Sequence, residues 1–195
     1  DKNIKKQAVN ILKNEGILII PTETVYGIAA DARNKFAVEK IYSLKNRGLN
    51  KPLQVLCKNI EQVEEIAELN EKAKKLAEKF LPGPLSMVLD CKIPEIAVNV
   101  NSKDGSVAIR IPDSKIIHDI IDDFGFPLAC TSANISGNDA ADSVDSIDDR
   151  VVKSADFVID GGKCKVGTAS TVADLRNDKL IILREGKIKL SDLVI

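Results

Sequence analysis

Four aliphatic residues, Ile17-Leu18-Ile19-Ile20, run directly into Pro21-Thr22-Glu23-Thr24-Val25-Tyr26-Gly27. A short apolar run without polar alternation reads as a strand covered on both faces. Such a strand needs layers of structure on both sides of a sheet. The two hydroxyls and the carboxylate then arrive together at the strand's end. In open α/β sheets, strand ends are where ligands sit. Thr22 and Thr24 would share one side of an extended segment and Glu23 would take the other. They line a site or they merely turn the chain; spacing leaves both readings open.

The rest of the chain supplies the layers. Ile4, Ala8, Ile11 and Leu12 form one stripe of an opening helix, and Ala37, Ile41 and Leu44 one face of a second. Tyr26–Ala30 looks extended. Strands are expected at Leu53–Cys57, Ser86–Asp90, Ser106–Ile111, Leu128–Thr131 and Phe157–Asp160, with a closing hairpin of Ser170–Leu175 and Leu180–Leu183. Helices are expected at Ile60–Leu69, Glu71–Phe80, Ser114–Phe124 and near Val144–Val152. Helices alternate with strands early and strands cluster late. This predicts an α/β fold: a single domain over residues 1–195, with a twisted, open, mixed sheet flanked by helices.

Composition excludes several classes. No apolar run approaches the roughly 20 residues of a membrane helix. Asp1–Lys6 is not followed by an apolar leader, and the four cysteines have no Cys-x-x-Cys spacing, so a reducing cytoplasmic setting is expected. Cys57 and Cys130 sit in apolar runs as small hydrophobes. Net charge is −1, which argues against a general polyanion binder. The charge is uneven, however: residues 31–58 carry +5 and residues 139–160 carry −5. These are solvated surfaces, or an anion-binding rim and a separate acidic face. There is no GxGxxG fingerprint and no Walker A sequence.

Few side chains could act as nucleophile or base. His118, the single histidine, lies on the outward side of its predicted helix. The remaining candidates position rather than react. Lys45 and Arg47, two apart, would point the same way in an extended loop and could hold phosphates; alternatively they complement a helix C-terminus. Ser132, Asn134 and Ser136 follow a strand directly, to grip an anionic group or to serve a local turn. Gly161, Gly162 and Gly167 could cradle an anion with backbone N–H groups or simply turn.

Taken in order, seven segments form a pattern: Pro21–Gly27; Lys45-Asn46-Arg47 with Lys51-Pro52-Leu53; Pro82-Gly83-Pro84-Leu85-Ser86; Val107–Pro112; Thr131–Gly137; Ser170–Asp174; and Leu183-Arg184-Glu185-Gly186. In this order and spacing the chain resembles the YrdC-like family of threonylcarbamoyl-AMP synthases, in its short bacterial form. The resemblance implies a fold with a positively charged central cavity. It also implies a nucleotidyl transfer in which L-threonine, bicarbonate and ATP give threonylcarbamoyl-adenylate and pyrophosphate. Partner proteins would then pass the threonylcarbamoyl group to tRNA. Direct contact with tRNA or double-stranded RNA through the same cavity is the alternative role it implies. Carried over by motif, Thr24, Ser132 and Ser170 would hold threonine. Lys45, Arg47, Ser86, Asn134 and Arg184 would line the ATP side, with Mg²⁺ arriving on the phosphates. The chain departs from the family pattern at Gly48, Lys51, Leu56, Ser86 and Asp142.

Overall fold

The computed structural model describes residues 2–100, 102–177 and 179–193. In chain order the elements are α1 (Lys2–Lys13), β1 (Leu18–Ile20), β2 (Gly27–Asp31), α2 (Lys35–Lys45), β3 (Gln54–Leu56), α3 (Ile60–Ile66), α4 (Glu71–Phe80), β4 (Leu85–Asp90) and α5 (Pro94–Asn99). They continue with β5 (Ser106–Arg110), α6 (Lys115–Phe124), β6 (Leu128–Ser132), a 3₁₀ turn (Val144–Ser146), α7 (Asp149–Ser154), β7 (Phe157–Val158), β8 (Thr171–Asp174), β9 (Ile181–Arg184) and α8 (Leu190–Leu193). One sheet runs through them in the order β7-β1-β2-β6-β3-β5-β4-β8-β9. It is mixed: β7/β1, β3/β5 and β4/β8 are parallel and the other pairs antiparallel.

Period-2 alternation sorts each strand onto two faces. Ile19, Ile28, Val55, Met87, Ile109 and Ala129 face a large core that takes in residues of α2–α5 and α7. Leu18, Ile20, Ala29, Leu56, Leu128 and Cys130 face the other way, onto α1 and α6. That second layer covers only part of its face. Beyond it, the same parity brings Gln54, Ser86, Ala108, Arg110, Ser132 and Val172 to an open cavity. β1 is covered on both sides, which is why its sequence is continuously apolar.

Helix starts follow local chemistry. Asn34, Asn59 and Asn70 each accept a hydrogen bond from a first-turn amide, those of Ala37 (3.0 Å), Gln62 (3.1 Å) and Ala73 (2.9 Å). Several expectations need correction. Helix α3 stops at Ile66 because Ala67 turns extended to bridge Cys91. The single helix expected near Val144–Val152 is a 3₁₀ turn and α7, interrupted where Asp148 caps Arg150 N. The sequence reading did not anticipate α5 and α8. His118 is half-buried, and its Nε2 is shielded with no hydrogen-bond partner among the described residues. Among the described residues no helix is long and apolar enough to cross a membrane.

Candidate active site

The segment 21–26 is not a strand but a tight turn, and Gly27 opens β2. Thr22 Oγ1 accepts from the amides of Thr24 (3.1 Å) and Val25 (3.2 Å) and donates to Val25 O (2.7 Å). Its one proton is therefore committed. The 2.8 Å contact between the two threonine hydroxyls must then run from Thr24 to Thr22. The two hydroxyls come together because the turn folds Thr24 onto Thr22, not by the alternation of an extended segment, and Thr24 presents lone pairs to the cavity. Glu23 goes the other way, to Arg110: Arg110 Nη2 donates to Glu23 Oε1 at 2.5 Å, and both side chains are nearly fully buried. Glu23 also accepts from Asp113 N (3.2 Å), and Arg110 Nε donates to Gly83 O (3.1 Å). Immediately after the turn, β2 packs so closely on β6 that a Cβ at Gly27 would lie 2.6 Å from Cys130 Sγ.

The cavity has a volume of about 590 Å³, within the range of small-molecule sites. Thr24, Arg47, Lys51, Gln54, Ser86, Arg110, Ser132, Ser170 and Arg184 supply its polar lining, and no carboxylate is among the lining residues. Among the described residues, Arg47, Lys51 and Arg184 have no carboxylate partner. Burial holds the Arg47 guanidinium below its ordinary value. Burial, with Arg110 and Arg47 nearby, does the same at Arg184. Arg47 is oriented by Lys51 O (2.8 Å) and Pro52 O (2.9 Å).

A chain of hydroxyls crosses the cavity floor. Ser86 Oγ donates to Gln54 Oε1 (2.9 Å), so it accepts from Ser170 Oγ (2.9 Å). Ser170 Oγ in turn accepts from Arg184 Nη2 (3.1 Å), while Arg184 Nε and Nη2 also donate to Ser170 O. Ser132 Oγ donates to Asn134 Oδ1 (2.5 Å). Thr24, Ser132 and Ser170 thus share one property: each hydroxyl proton is used inside the protein, leaving acceptor lone pairs for a ligand. Cys130 lines the same wall, but burial pushes its thiol up to about 12, so it is no nucleophile at neutral pH.

Six of the eight sequence-derived site residues line this cavity: Thr24, Ser132, Ser170, Arg47, Ser86 and Arg184. Lys45 and Asn134 do not. The loop after α2 is not extended, because Asn46 is left-handed (φ 49°) and ends the helix at Lys45. Lys45 therefore points inward while Arg47 points to the cavity. The Lys45 ammonium donates to Ser132 O, to Asn134 O (2.5 Å) and to Asn134 Oδ1 (3.0 Å). Asn134 Nδ2 donates to Ile135 O (3.1 Å) and Asn138 O (2.6 Å), so the whole amide serves the turn.

Several other readings resolve similarly. Gly161 N donates to Tyr26 Oη (3.0 Å) and Gly162 N to Asp160 Oδ1 (2.9 Å), so neither amide is free to cradle an anion. Asp142 pairs with Lys163 at 3.3 Å, and Leu56 sits in the core under α6, both away from the cavity lining. Sequence reasoning assigned no site role to Arg110 or Gln54. Each is a large polar residue at one end of a mostly apolar strand, which is the signal that marks them.

Comparison with known proteins gives the family. The model of the Sua5/YciO/YrdC family, described as "Telomere recombination", matches residues 10–186. The chain belongs to this family. A Methanocaldococcus jannaschii protein provisionally named threonylcarbamoyl-AMP synthase is 43% identical over 97% of this chain and 90% of its own length. The threonylcarbamoyl-AMP synthase of Bacillus subtilis is 36% identical over 93% of this chain, which spans 53% of that relative. The structure of Pyrococcus abyssi Sua5 complexed with L-threonine superposes with a TM-score of 0.86 at 33% identity, over 97% of this chain and 56% of that one. The chain thus spans nearly the whole of one family member and about half of the longer ones.

Proposed function

We propose that this chain is a threonylcarbamoyl-AMP synthase, joining L-threonine, bicarbonate and ATP into threonylcarbamoyl-adenylate with release of pyrophosphate and water. The carrying observation is the division of labour in the cavity. The lining combines acceptor-only hydroxyls of Thr24, Ser132 and Ser170 with the cations Arg47, Lys51 and Arg184, which have no carboxylate partner among the described residues. The acceptors suit the ammonium and hydroxyl donors of threonine. The cations suit its carboxylate, the bicarbonate and the polyphosphate. These anions repel one another, and a cationic cavity is what allows them to meet.

No protein nucleophile is needed. The threonine ammonium first gives one proton to solvent; the free amine then adds to the carbon of bicarbonate and water leaves, giving a carbamate. A carbamate oxygen then attacks the α-phosphorus of ATP, and pyrophosphate departs with the electron pair of the broken P–O bond. The protein's part is to align the reactants and offset their charge. With no carboxylate in the lining, Mg²⁺ enters as part of MgATP. Residues 1–195 act as one domain in the cytoplasm, and partner proteins pass the product's threonylcarbamoyl group to tRNA.

The test is incubation with ¹⁴C-bicarbonate, threonine and MgATP. Pyrophosphate release that requires both threonine and bicarbonate, with ¹⁴C in an adenylate, supports the reading. ATP hydrolysis independent of threonine overturns it.

A further inference from the structure

Lys45 is buried to 1% exposure, yet no carboxylate lies within ion-pair reach of it among the described residues. Its ammonium has three protons and three acceptors: Ser132 O, Asn134 O and Asn134 Oδ1. Its main chain joins in, because Lys45 O accepts from Ser136 N at 3.0 Å. One residue at the end of α2 thus ties both ends of the turn that follows β6. The opposite side of the turn is tied by Ala133 N donating to Tyr26 O (2.8 Å), just beyond the Thr22–Thr24 turn.

An ammonium can only donate. The Asn134 atom that faces it must be the carbonyl oxygen, which fixes the orientation of the amide. That oxygen also takes the proton of Ser132 Oγ. Ile135 O and Asn138 O hold the other end of the amide, so Lys45 and these two carbonyls together set Asn134 Oδ1 toward Ser132, which then offers the cavity a lone pair and not a proton. A direct contact between Lys45 and a phosphate would require the ammonium to leave bonds that hold the wall of the site.

We propose that Lys45 is a positioning residue: it pins the Ser132–Ser136 turn and so holds the Asn134–Ser132 pair, with Ser132 as an acceptor, in place for the substrate, without touching substrate itself. The ligand half of this inference rests on the proposed function. The pin does not, and is tested with no ligand present. Hydrogen exchange of the substrate-free protein should show protection of the 132–138 amides falling at least tenfold in Lys45→Met, with the central strands unchanged. Unchanged protection of the turn overturns the pin. Wild-type protein gives a second route that does not depend on the variant folding. Burial, reinforced by Arg47, lowers the Lys45 ammonium from 10.5 to about 8. Its third proton is therefore lost between pH 7 and 9.5. The groups that bear on it, Arg47 and the Cys130 thiol at about 12, keep their protonation over that interval. Protection of the turn, corrected for intrinsic exchange rates, should fall in part as the ammonium loses its proton, while the Ser136 amide, held by Lys45 O, keeps its own bond. Separate calorimetric titrations, one with threonine alone and one with MgATP alone, then distinguish the two roles. Threonine affinity at least tenfold weaker in Lys45→Met supports positioning. Wild-type threonine affinity combined with weakened ATP binding identifies Lys45 as a phosphate ligand and overturns the proposal. If wild-type protein binds no threonine, the functional reading fails on its own, and the exchange data still decide the pin.

Discussion

The Glu23–Arg110 pair tests how the cavity floor is held. Both partners are removed from bulk solvent, Arg110 to 2% exposure and Glu23 to 7%. Replacing Glu23 with Leu keeps a side chain of similar bulk but leaves a guanidinium whose remaining protein partner is Gly83 O, and strips Asp113 N of its acceptor. Breaking one side of a buried ion pair costs about 3–5 kcal/mol. Arg110 borders the cavity and can turn partly toward its water, which favours the lower end, about 3 kcal/mol. For a chain of this size that lowers Tm by roughly 6–12 °C. Urea and thermal unfolding followed by circular dichroism measure it. The double variant Glu23→Leu with Arg110→Met removes the stranded charge, so it should recover more than half of the loss. A Tm within 2 °C of wild type in Glu23→Leu, or a double variant less stable than the two single losses combined, would refute the reasoning.

Three further outcomes follow from the same geometry. Gly27→Ala forces a methyl toward Cys130 Sγ and should cost about 1–3 kcal/mol in urea unfolding, with Cys130→Ala restoring part of it. Arg184→Met removes a charged donor from the Ser170–Ser86–Gln54 chain; KM for ATP should rise about tenfold or more in pyrophosphate-release assays, with the fold retained by circular dichroism. Asp174 is buried against Arg176, with Nη2 at 2.6 Å, and this partner holds its carboxyl below the ordinary value. A depressed carboxylate adds stability that is present above its unfolded value of about 3.9 and is lost as pH falls through its folded value. Arg176→Met should therefore be less stable than wild type at pH 6, and the gap in urea midpoints should narrow below about pH 3.

The layered sheet was legible because each strand states its burial in its alternation. Ile17–Ile20 is apolar throughout and is covered on both sides, whereas Gln54–Leu56 and Ser106–Arg110 carry one polar residue each toward the cavity. The starts expected at Ile60 and Glu71 are those of α3 and α4, where Asn59 and Asn70 cap the first turn locally. What stayed hidden depends on contacts distant in sequence. Nothing near Lys45 announces that its partners lie about 90 residues on, or that Asn46 turns left-handed and parts Lys45 from Arg47. His118 sits among aliphatic residues at helical spacing, and only the packing of α6 decides how much of its outward side is shielded. The hydroxyl polarity of Thr24, Ser132 and Ser170 is likewise a property of networks. Each proton's direction is set by the partner's partner.

The central claim is that one cavity holds threonine on hydroxyl acceptors and the nucleotide on cations. A crystal structure with L-threonine and a non-hydrolysable ATP analogue with Mg²⁺ tests it directly. The threonine ammonium or hydroxyl should lie within hydrogen-bond reach of Thr24, Ser132 and Ser170, and the polyphosphate should lie against Arg47 and Arg184, with Lys45 still on the Ser132–Asn134 turn. Threonine held by its carboxylate on those hydroxyls, or either ligand outside the cavity, would contradict the account.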